Sequence, residues 1–336
     1  MRVALLDDYQ GVAMRMAEWD ALKPHATVEA FQDHLDSGDA LAERLHPFDA
    51  VFLMRERTRV PRALIERLPN LRLLITAAMW NAAVDIDAAT ERGIQVCGTD
   101  DLGTPAAELA LGMMIAVTRW MPQDERAMRA GRWQTKLGVG LHGKTLGVLG
   151  LGNLGRQMAG YGNMLGMNVL GWSHRLTAEA AQAAGAQRVE LDELLTRSDV
   201  ISIHLKLSDR TRGLLGEREF GLMKPSAYLV NTSRGPIADE TALLGALRGN
   251  RIAGAALDVF DVEPLPANHP FLALDNVVLA PHIGYVTEEN YRLIYQGVLE
   301  DVQGFLNGRI VRPLNTPNTP NTPNTRNTRN TRNTPR

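Results

Sequence analysis

A glycine-rich hexapeptide near the middle of the chain constrains the fold more than any other feature. It fits the pattern G-x-G-x-x-G and reads Gly150-Leu151-Gly152-Asn153-Leu154-Gly155, directly after the apolar, strand-like run at 145–149. In a strand–turn–helix unit the first glycine makes a tight turn, the second lets the backbone approach a pyrophosphate, and the third lets helix and strand pack closely. The N-terminus of the helix then offers its N–H groups to the phosphates.

The stretch after the hexapeptide, 156–166, can form the required helix, although Gly160 and Gly162 weaken that prediction. Glycine-rich turns also occur for structural reasons, so the motif alone is weak. Because a strand-like run precedes it and a helix-like stretch follows it, the sequence favours a dinucleotide-binding turn.

Length and composition exclude several classes of protein. With 336 residues the chain is long enough for two domains, and its formal net charge of −2 gives no reason to expect nucleic acid as a partner. The single cysteine, Cys97, suits a reducing compartment. Acids follow the N-terminus too early for a signal peptide, and the longest apolar run, 109–117, is far shorter than the roughly 20 residues that span a bilayer. We therefore expect a soluble, cytoplasmic protein with no membrane partner.

Two series of apolar runs alternate with helix-like stretches. In the first, strands are expected at 2–7, 50–54, 71–77 and 94–98, with helices at 39–45 and 61–68. In the second, strands are expected at 145–149, 168–172, 200–205, 227–231, 252–259 and 277–280, with helices at 177–184, 191–195 and 240–247. Such alternation predicts an α/β fold with two doubly wound parallel sheets.

Three further segments have predicted boundaries. A helix is expected from Pro105 to about Trp120, capped by Thr104, and an amphipathic helix is expected at 287–306. From Asn315 to the end the chain repeats Asn-Thr-Pro or Asn-Thr-Arg, with no apolar residue to bury, so 315–336 is expected to be a disordered tail.

Three motifs after the glycine turn carry a family resemblance. They are Val230-Asn231-Thr232-Ser233-Arg234-Gly235, Asp258-Val259-Phe260-Asp261-Val262-Glu263-Pro264 and Ala280-Pro281-His282-Ile283-Gly284. In this order and at this spacing, over about residues 45–310, the chain resembles the D-isomer-specific 2-hydroxyacid dehydrogenases. The resemblance implies that Arg234, Glu263 and His282 are catalytic.

The same resemblance implies an architecture. A flavodoxin-like substrate domain is expected to contain 1–99 and 287–314, and a Rossmann domain that binds NAD(P) is expected at 100–286, with a cleft between them. It also implies a homodimer to which the helix from Pro105 contributes.

The three residue types suit the reduction of a 2-keto acid. Hydride reaches the carbonyl carbon while the oxygen needs a proton, which a histidine such as His282 can give near neutral pH. A carboxylate beside an imidazole favours its protonated form, and an arginine can hold the substrate carboxylate and polarise the carbonyl. Taken singly, Arg234 could be a surface arginine, Glu263 a loop carboxylate and His282 a core histidine. All three follow strands of one sheet, at the edge where doubly wound folds bind ligands, which favours the joint interpretation.

The resemblance also assigns cofactor contacts beyond the glycine turn. Asp258 matches the position whose carboxylate contacts the nicotinamide carboxamide, and Thr232 lies in the nicotinamide loop, with Thr104 and Gly284 placed similarly. His204 and Leu205, at a strand end, match the adenine side, although His204 could equally be a packed strand-end histidine.

The residues after the second strand of the Rossmann unit bear on the choice of cofactor. NAD-specific relatives have an acid here that bonds the ribose 2′-hydroxyl, whereas this chain has Ser173-His174-Arg175. Ser173 can donate to a 2′-phosphate and Arg175 can pair with it, so the sequence favours NADP over NAD. The alternative is an uncharged loop that tolerates NADH.

The segment matching the substrate loop of the family departs from its pattern. Many members have a glycine-rich turn there, but this chain reads Ala77-Ala78-Met79-Trp80-Asn81. We expect Ala78, Met79 and Trp80 to contact the substrate together with Arg234 and His282, and Trp80 could narrow the pocket or favour an apolar side chain. Arg55 matches a position near the substrate in some members, or it could be a solvated strand-end charge.

The alternatives to a 2-keto acid reductase are formate dehydrogenases, regulated phosphoglycerate dehydrogenases and the C-terminal-binding corepressors. Formate dehydrogenases lack the glutamate at the Glu263 position, and regulated phosphoglycerate dehydrogenases carry an extra C-terminal domain where this chain has its triplet tail. The C-terminal-binding corepressors share the fold, the dinucleotide and the three residues, so a dinucleotide-gated protein-binding module stays open as an alternative.

No metal motif such as Cys-x-x-Cys is present, and no metal is expected. The expected partner is a small 2-keto or 2-hydroxy acid.

Overall fold

The computed structural model describes residues 1–317, which form two compact units. The first unit contains Met1–Asp101 together with 288–317, and the second contains Leu102–Thr287.

A five-stranded parallel sheet forms the centre of the first unit. Its strand order is β2-β1-β3-β4-β5, which is the flavodoxin-like order. The strands are β1 (Arg2–Leu5), β2 (Thr27–Ala30), β3 (Ala50–Leu53), β4 (Leu73–Thr76) and β5 (Gln95–Gly98). Every residue of β3, β4 and β5 is buried, because helices cover both faces of the sheet.

Within 1–317, five helices belong to this first unit. They are α1 (Ala13–Met16), α2 (Gly38–Leu45), α3 (Arg62–Ile65), α4 (Ile86–Glu91) and, after the second unit, α12 (Glu288–Leu306); a 3₁₀ helix spans Trp19–Leu22. Ser37 caps α2 and Asp85 caps α4. The long helix α12 is anchored by the fully buried ring of Tyr295, whose centroid lies 5.5 Å from that of Phe52 in β3.

The last described residues add to the edge of this sheet beside β5. The N–H of Gly98 donates to the Arg312 carbonyl at 3.0 Å, and the N–H of Leu314 donates to the Val96 carbonyl at 2.8 Å. The Asn315 side chain accepts from the Val96 N–H at 2.8 Å. The disorder expected from residue 315 is therefore wrong at Asn315, whose amide satisfies backbone groups of β5, and 318–336 lie outside the described residues.

A seven-stranded parallel sheet forms the centre of the second unit. Its order is β12-β11-β10-β9-β6-β7-β8, which is the Rossmann order with one further strand. The strands are β6 (Thr145–Leu149), β7 (Asn168–Trp172), β8 (Gln187–Arg188), β9 (Val200–Ile203), β10 (Tyr228–Asn231), β11 (Gly254–Leu257) and β12 (Val277–Leu279). The predicted fold class, two doubly wound parallel sheets, is confirmed.

Seven helices surround this second sheet. They are α5 (Pro105–Thr118), α6 (Met121–Arg129), α7 (Asn153–Met164), α8 (Ala178–Ala183), α9 (Leu191–Arg197), α10 (Glu217–Leu222) and α11 (Glu240–Arg248); 3₁₀ helices span Gly235–Ile237 and Pro270–Ala273. None of the helices within 1–317 combines the length and apolar character needed to cross a bilayer.

One predicted helix start and one predicted helix cap are wrong. Helix α7 begins at Asn153, directly after the second motif glycine, rather than at residue 156. Thr104 precedes α5 but does not cap it: no capping hydrogen bond forms, because its backbone is already helical at φ −115° and ψ −39°.

Candidate active site

The glycine turn joins β6 to the N-terminus of α7. Helix and strand approach so closely at Gly155 that a Cβ there would overlap the carbonyl oxygen of Gly150. Gly152 is the N-cap residue, and its backbone leaves the first N–H groups of α7 without a side-chain cap. The side chains of Asn153 and Gln157 donate to the Gly103 carbonyl at 3.2 and 2.9 Å, which ties the start of α7 to the segment before Thr104.

The predicted ribose and adenine residues follow β7 and β9. Ser173 and Arg175 come directly after β7, with Ser173 half-buried and Arg175 exposed. His204 and Leu205 follow β9, which ends at Ile203 rather than including them. Nε2 of His204 lies 2.8 Å from the Ser202 hydroxyl, and burial lowers the pKa of His204 to about 4. That ring is therefore neutral near pH 7 and hydrogen bonded at the sheet edge.

The loop after β10 is held by an asparagine that the sequence did not single out. The buried Asn231 side chain accepts from the N–H of Ser233 at 3.1 Å and donates to the carbonyl of Arg234 at 3.0 Å. The Arg234 guanidinium donates to the Ser233 carbonyl at 2.7 Å. The position of Asn231 at the end of a strand and before a turn is typical of such bonding.

Thr232 lies in the same loop and contains an unsatisfied group. Its hydroxyl oxygen is buried and has no hydrogen-bond partner within residues 1–317. Because buried hydroxyls are normally paired, this atom could pair with a polar group of a ligand.

Asp258, directly after β11, anchors the loop that carries His282. Its two carboxylate oxygens accept from the N–H of Ile283 at 2.7 Å and from the N–H of Gly284 at 2.8 Å. Burial raises the pKa of Asp258 to about 6, against the two N–H donors and the nearby charge of His282, which lower it. The N–H of Gly284 is thus bonded to Asp258.

Glu263 and His282 form a direct pair. Nδ1 of His282 lies 2.5 Å from one oxygen of Glu263, and the other oxygen accepts from the Phe260 N–H at 2.9 Å. Burial tends to raise the pKa of Glu263, but the hydrogen bond and charge of His282 and the charge of Arg234 outweigh it and lower the pKa below its usual value. Because an ionised carboxylate only accepts, Nδ1 carries the proton and Nε2 is the ring atom left to exchange one.

Arg234, Glu263 and His282 thus meet at one edge of the second sheet. They follow β10, β11 and β12, which are neighbours in that sheet. The side chains of His282 and Glu263 are 19 % and 31 % exposed, so a ligand can reach them. His282 adopts a left-handed φ of +52°, a strained conformation of the kind that collects at functional sites.

The predicted substrate residues lie at the corresponding edge of the first sheet. Asp7, Arg55 and Ala78 each follow a strand by two residues, after β1, β3 and β4, and have φ of +59°, +60° and +69°. Arg55 donates to the Asp101 carboxylate at 3.2 Å. Three strained residues on three adjacent strands single out this edge.

The segment around Trp80, which departs from the family pattern, is held in place by Asn81. The sequence alone did not single out Asn81 either. The buried Asn81 amide donates to the Arg55 carbonyl and to the Thr76 hydroxyl, each at 2.6 Å. Met79 and Trp80 are 46 % and 53 % exposed, so their apolar surfaces are open to a ligand. Within 1–317 no group of three or more His, Cys, Asp or Glu side chains could hold a metal ion.

A family model matches more than half of the chain. The NAD-binding domain of the D-isomer-specific 2-hydroxyacid dehydrogenases matches residues 111–284, which lie within the second unit.

Individual relatives extend this similarity. A glyoxylate reductase of Thermococcus litoralis is 38 % identical over 280 residues, which is 80 % of this chain and 84 % of the relative. A D-3-phosphoglycerate dehydrogenase of Methanocaldococcus jannaschii is 38 % identical over 276 residues, or 81 % of this chain and 52 % of the relative. The chain thus spans about half the length of that phosphoglycerate dehydrogenase.

Solved structures of other proteins are similar to this chain as well. A phosphoglycerate oxidoreductase of Vibrio cholerae is 35 % identical to this chain, with a TM-score of 0.87. The match covers 92 % of this chain and 99 % of the Vibrio cholerae chain. A glyoxylate reductase of Paecilomyes thermophila has a TM-score of 0.74 at 31 % identity, over 93 % of this chain and 98 % of its own.

Proposed function

Because the chain belongs to the D-isomer-specific 2-hydroxyacid dehydrogenases, we propose that it interconverts a small 2-keto acid and the D-2-hydroxy acid with NADP(H). The hydrogen bond between Glu263 and His282, beside the charge of Arg234, carries the proposal. His282 acts as general acid and base, Glu263 assists it, and Arg234 binds and polarises the substrate.

The chain's own residues supply the proton and the substrate charge contacts. A reduced nicotinamide, when bound, supplies the hydride that reaches the carbonyl carbon. Nε2 of His282 gives its proton to the carbonyl oxygen as that oxygen gains negative charge. The Arg234 guanidinium holds the substrate carboxylate and stabilises the same oxygen. Glu263, kept ionised by its lowered pKa, stabilises the protonated ring and fixes its orientation.

The proposed cofactor site combines the glycine turn with the edge of the second sheet. The N-terminus of α7 suits the pyrophosphate, and the unpaired Thr232 hydroxyl suits the nicotinamide amide. Asp258 is proposed to contact the same amide with lone pairs that Ile283 and Gly284 do not use. The remaining proposed contacts are Thr104, His204, Leu205 and Gly284, with Ser173 and Arg175 at the ribose.

The Arg175→Ala variant tests the preference for NADP. We expect kcat/KM with NADPH to fall roughly ten- to hundredfold, because a charge-assisted hydrogen bond to phosphate contributes about 1.5–3 kcal/mol. With NADH, which lacks that phosphate, the change should stay within about twofold. Arg197→Ala removes an exposed arginine of the same unit and is the control. A tenfold preference of the wild type for NADH would refute the choice of NADP.

The proposed substrate contacts of the first unit are Arg55, Ala78, Met79 and Trp80. The relatives named glyoxylate reductase make small 2-keto acids the first candidates. The exposed ring of Trp80 adds a reason to include substrates with apolar side chains.

A steady-state assay tests the function as a whole. Glyoxylate, hydroxypyruvate, pyruvate and a larger apolar 2-keto acid are supplied with NADPH or NADH, and at least one pair is expected to turn over. Tight dinucleotide binding with no turnover across this set would favour the dinucleotide-gated protein-binding module instead.

A homodimer is proposed from the resemblance and from exposed apolar side chains in and after α6. Met121, Met128, Trp133 and Leu137 are 55 %, 58 %, 76 % and 95 % exposed. Apolar surface of this kind is typical of protein–protein contacts.

A further inference from the structure

A second histidine–carboxylate pair lies in the second unit, apart from His282. Nε2 of His269 is 3.0 Å from a carboxylate oxygen of Glu240, and the two side chains are 12 % and 26 % exposed. Nδ1 of His269 accepts from the Phe271 N–H at 3.3 Å and so caps the 3₁₀ helix at Pro270–Ala273. Because Nδ1 accepts, the ring proton is on Nε2 and is donated to Glu240.

On one side, this pair is linked to the loop that carries Glu263. The ring of Phe271 lies 4.9 Å from the ring of His269 and 6.4 Å from the ring of Phe260, centroid to centroid. The N–H of Phe260 is the group that donates to Glu263. A shift of His269 would therefore act through Phe271 on Phe260, whose backbone N–H holds Glu263 in place.

On the other side, the pair is linked to the loop that carries Arg234. Glu240 is the first residue of α11, which closely follows the 3₁₀ helix that starts after Arg234. The backbones of the two loops touch at Gly235, where a Cβ would overlap the carbonyl group of Phe260. Gly235, Glu240, Phe260 and Phe271 also line one small cavity.

We propose that the Glu240–His269 hydrogen bond positions the reacting groups by holding the Glu263 loop against the Arg234 loop. His269 is thus a positioning residue, and its role rests on the proposed function of Glu263 and His282. Other charged groups surround the pair: Asp239 caps α11, and Asp261 interacts electrostatically with Arg212, Asp239, Glu240 and His269. Neither Glu240 nor His269 is assigned contact with substrate or cofactor.

Two substitutions of His269 separate its two hydrogen bonds. In His269→Gln the side-chain amide can donate to Glu240 from near the former Nε2 position, but it no longer caps the 3₁₀ helix. In His269→Asn the amide oxygen can accept from the Phe271 N–H, but the side chain is too short to reach Glu240. Glu240→Gln keeps an oxygen acceptor for His269, and Glu240→Ala removes it.

The variants are compared by turnover and by the low-field proton NMR signal of the His282–Glu263 hydrogen bond, assigned as the signal missing in Glu263→Gln. We expect His269→Asn and Glu240→Ala to lower kcat at least tenfold and to lose or shift this signal, with KM for the dinucleotide unchanged. His269→Gln and Glu240→Gln should keep the signal and remain within about threefold of wild-type kcat.

The reverse order for the two His269 variants would overturn the proposal, because it would reduce His269 to a helix cap. An unchanged signal and unchanged kcat in His269→Asn would overturn it as well. The NMR signal requires no turnover, so it tests the positioning role even if the panel of 2-keto acids shows no activity. Melting temperatures of all four variants verify that they are folded.

Discussion

Replacing His282 with alanine is expected to reduce kcat by about 10² to 10⁴, which is the usual contribution of a positioned general acid or base. Glu263 cannot replace Nε2 as the proton donor, because its pKa is lowered and it stays ionised. The loop itself should persist, since Asp258 holds it through the N–H groups of Ile283 and Gly284. Steady-state kinetics with the best 2-keto acid measures the effect.

The control for this variant is His25→Ala, which removes an exposed histidine of the first unit. Its kcat should match that of the wild type. Both proteins should melt as the wild type does and bind the dinucleotide with unchanged affinity. Near-normal turnover in His282→Ala would remove this histidine from the mechanism.

Replacing Arg234 with alanine is expected to lower kcat by roughly 10² to 10³, the range seen when one donor to a developing oxyanion is removed. KM should rise as well, because the same guanidinium is proposed to hold the substrate carboxylate. The loop should keep its shape, since Asn231 bonds the backbone of residues 233 and 234 rather than the guanidinium.

Arg234→Lys distinguishes charge from geometry. Lysine keeps the positive charge but lacks the planar fork, so it should recover only part of the lost kcat/KM. The measurement is a substrate titration of all three proteins at saturating dinucleotide. If Arg234→Ala kept full kcat/KM, the guanidinium would have no part in substrate binding or in polarising the carbonyl.

The fold was predictable where burial leaves a continuous apolar run. Strands β6 and β7 begin and end at the predicted residues, because each stands between clear turn residues. The sequence did not predict β2, which lies at a sheet edge with half-exposed residues, or β8, which has two residues. Neither offers a run of buried residues. The early start of α7 was missed because its first turn contains the third motif glycine, a residue with low helix propensity.

The candidate site was predictable as a set of motifs but not as a network. Recognisable sequence motifs contain the charged residues Arg234, Glu263 and His282, whose catalytic roles are proposals. Asn231 and Asn81 give no comparable signal, because their function depends on backbone groups that only folding brings within reach. The partner of His269 is 29 residues away along the chain, a separation from which no spacing rule predicts contact.

The strip of backbone beside β5 has a consequence for self-association. An open strand edge is a template on which another copy of the chain can pair. Here Arg312 and Leu314 occupy hydrogen-bonding positions along β5, and the Asn315 amide occupies a third. A stretch that belongs to neither predicted sheet thereby covers the β5 edge of the first sheet against pairing with another copy of the chain.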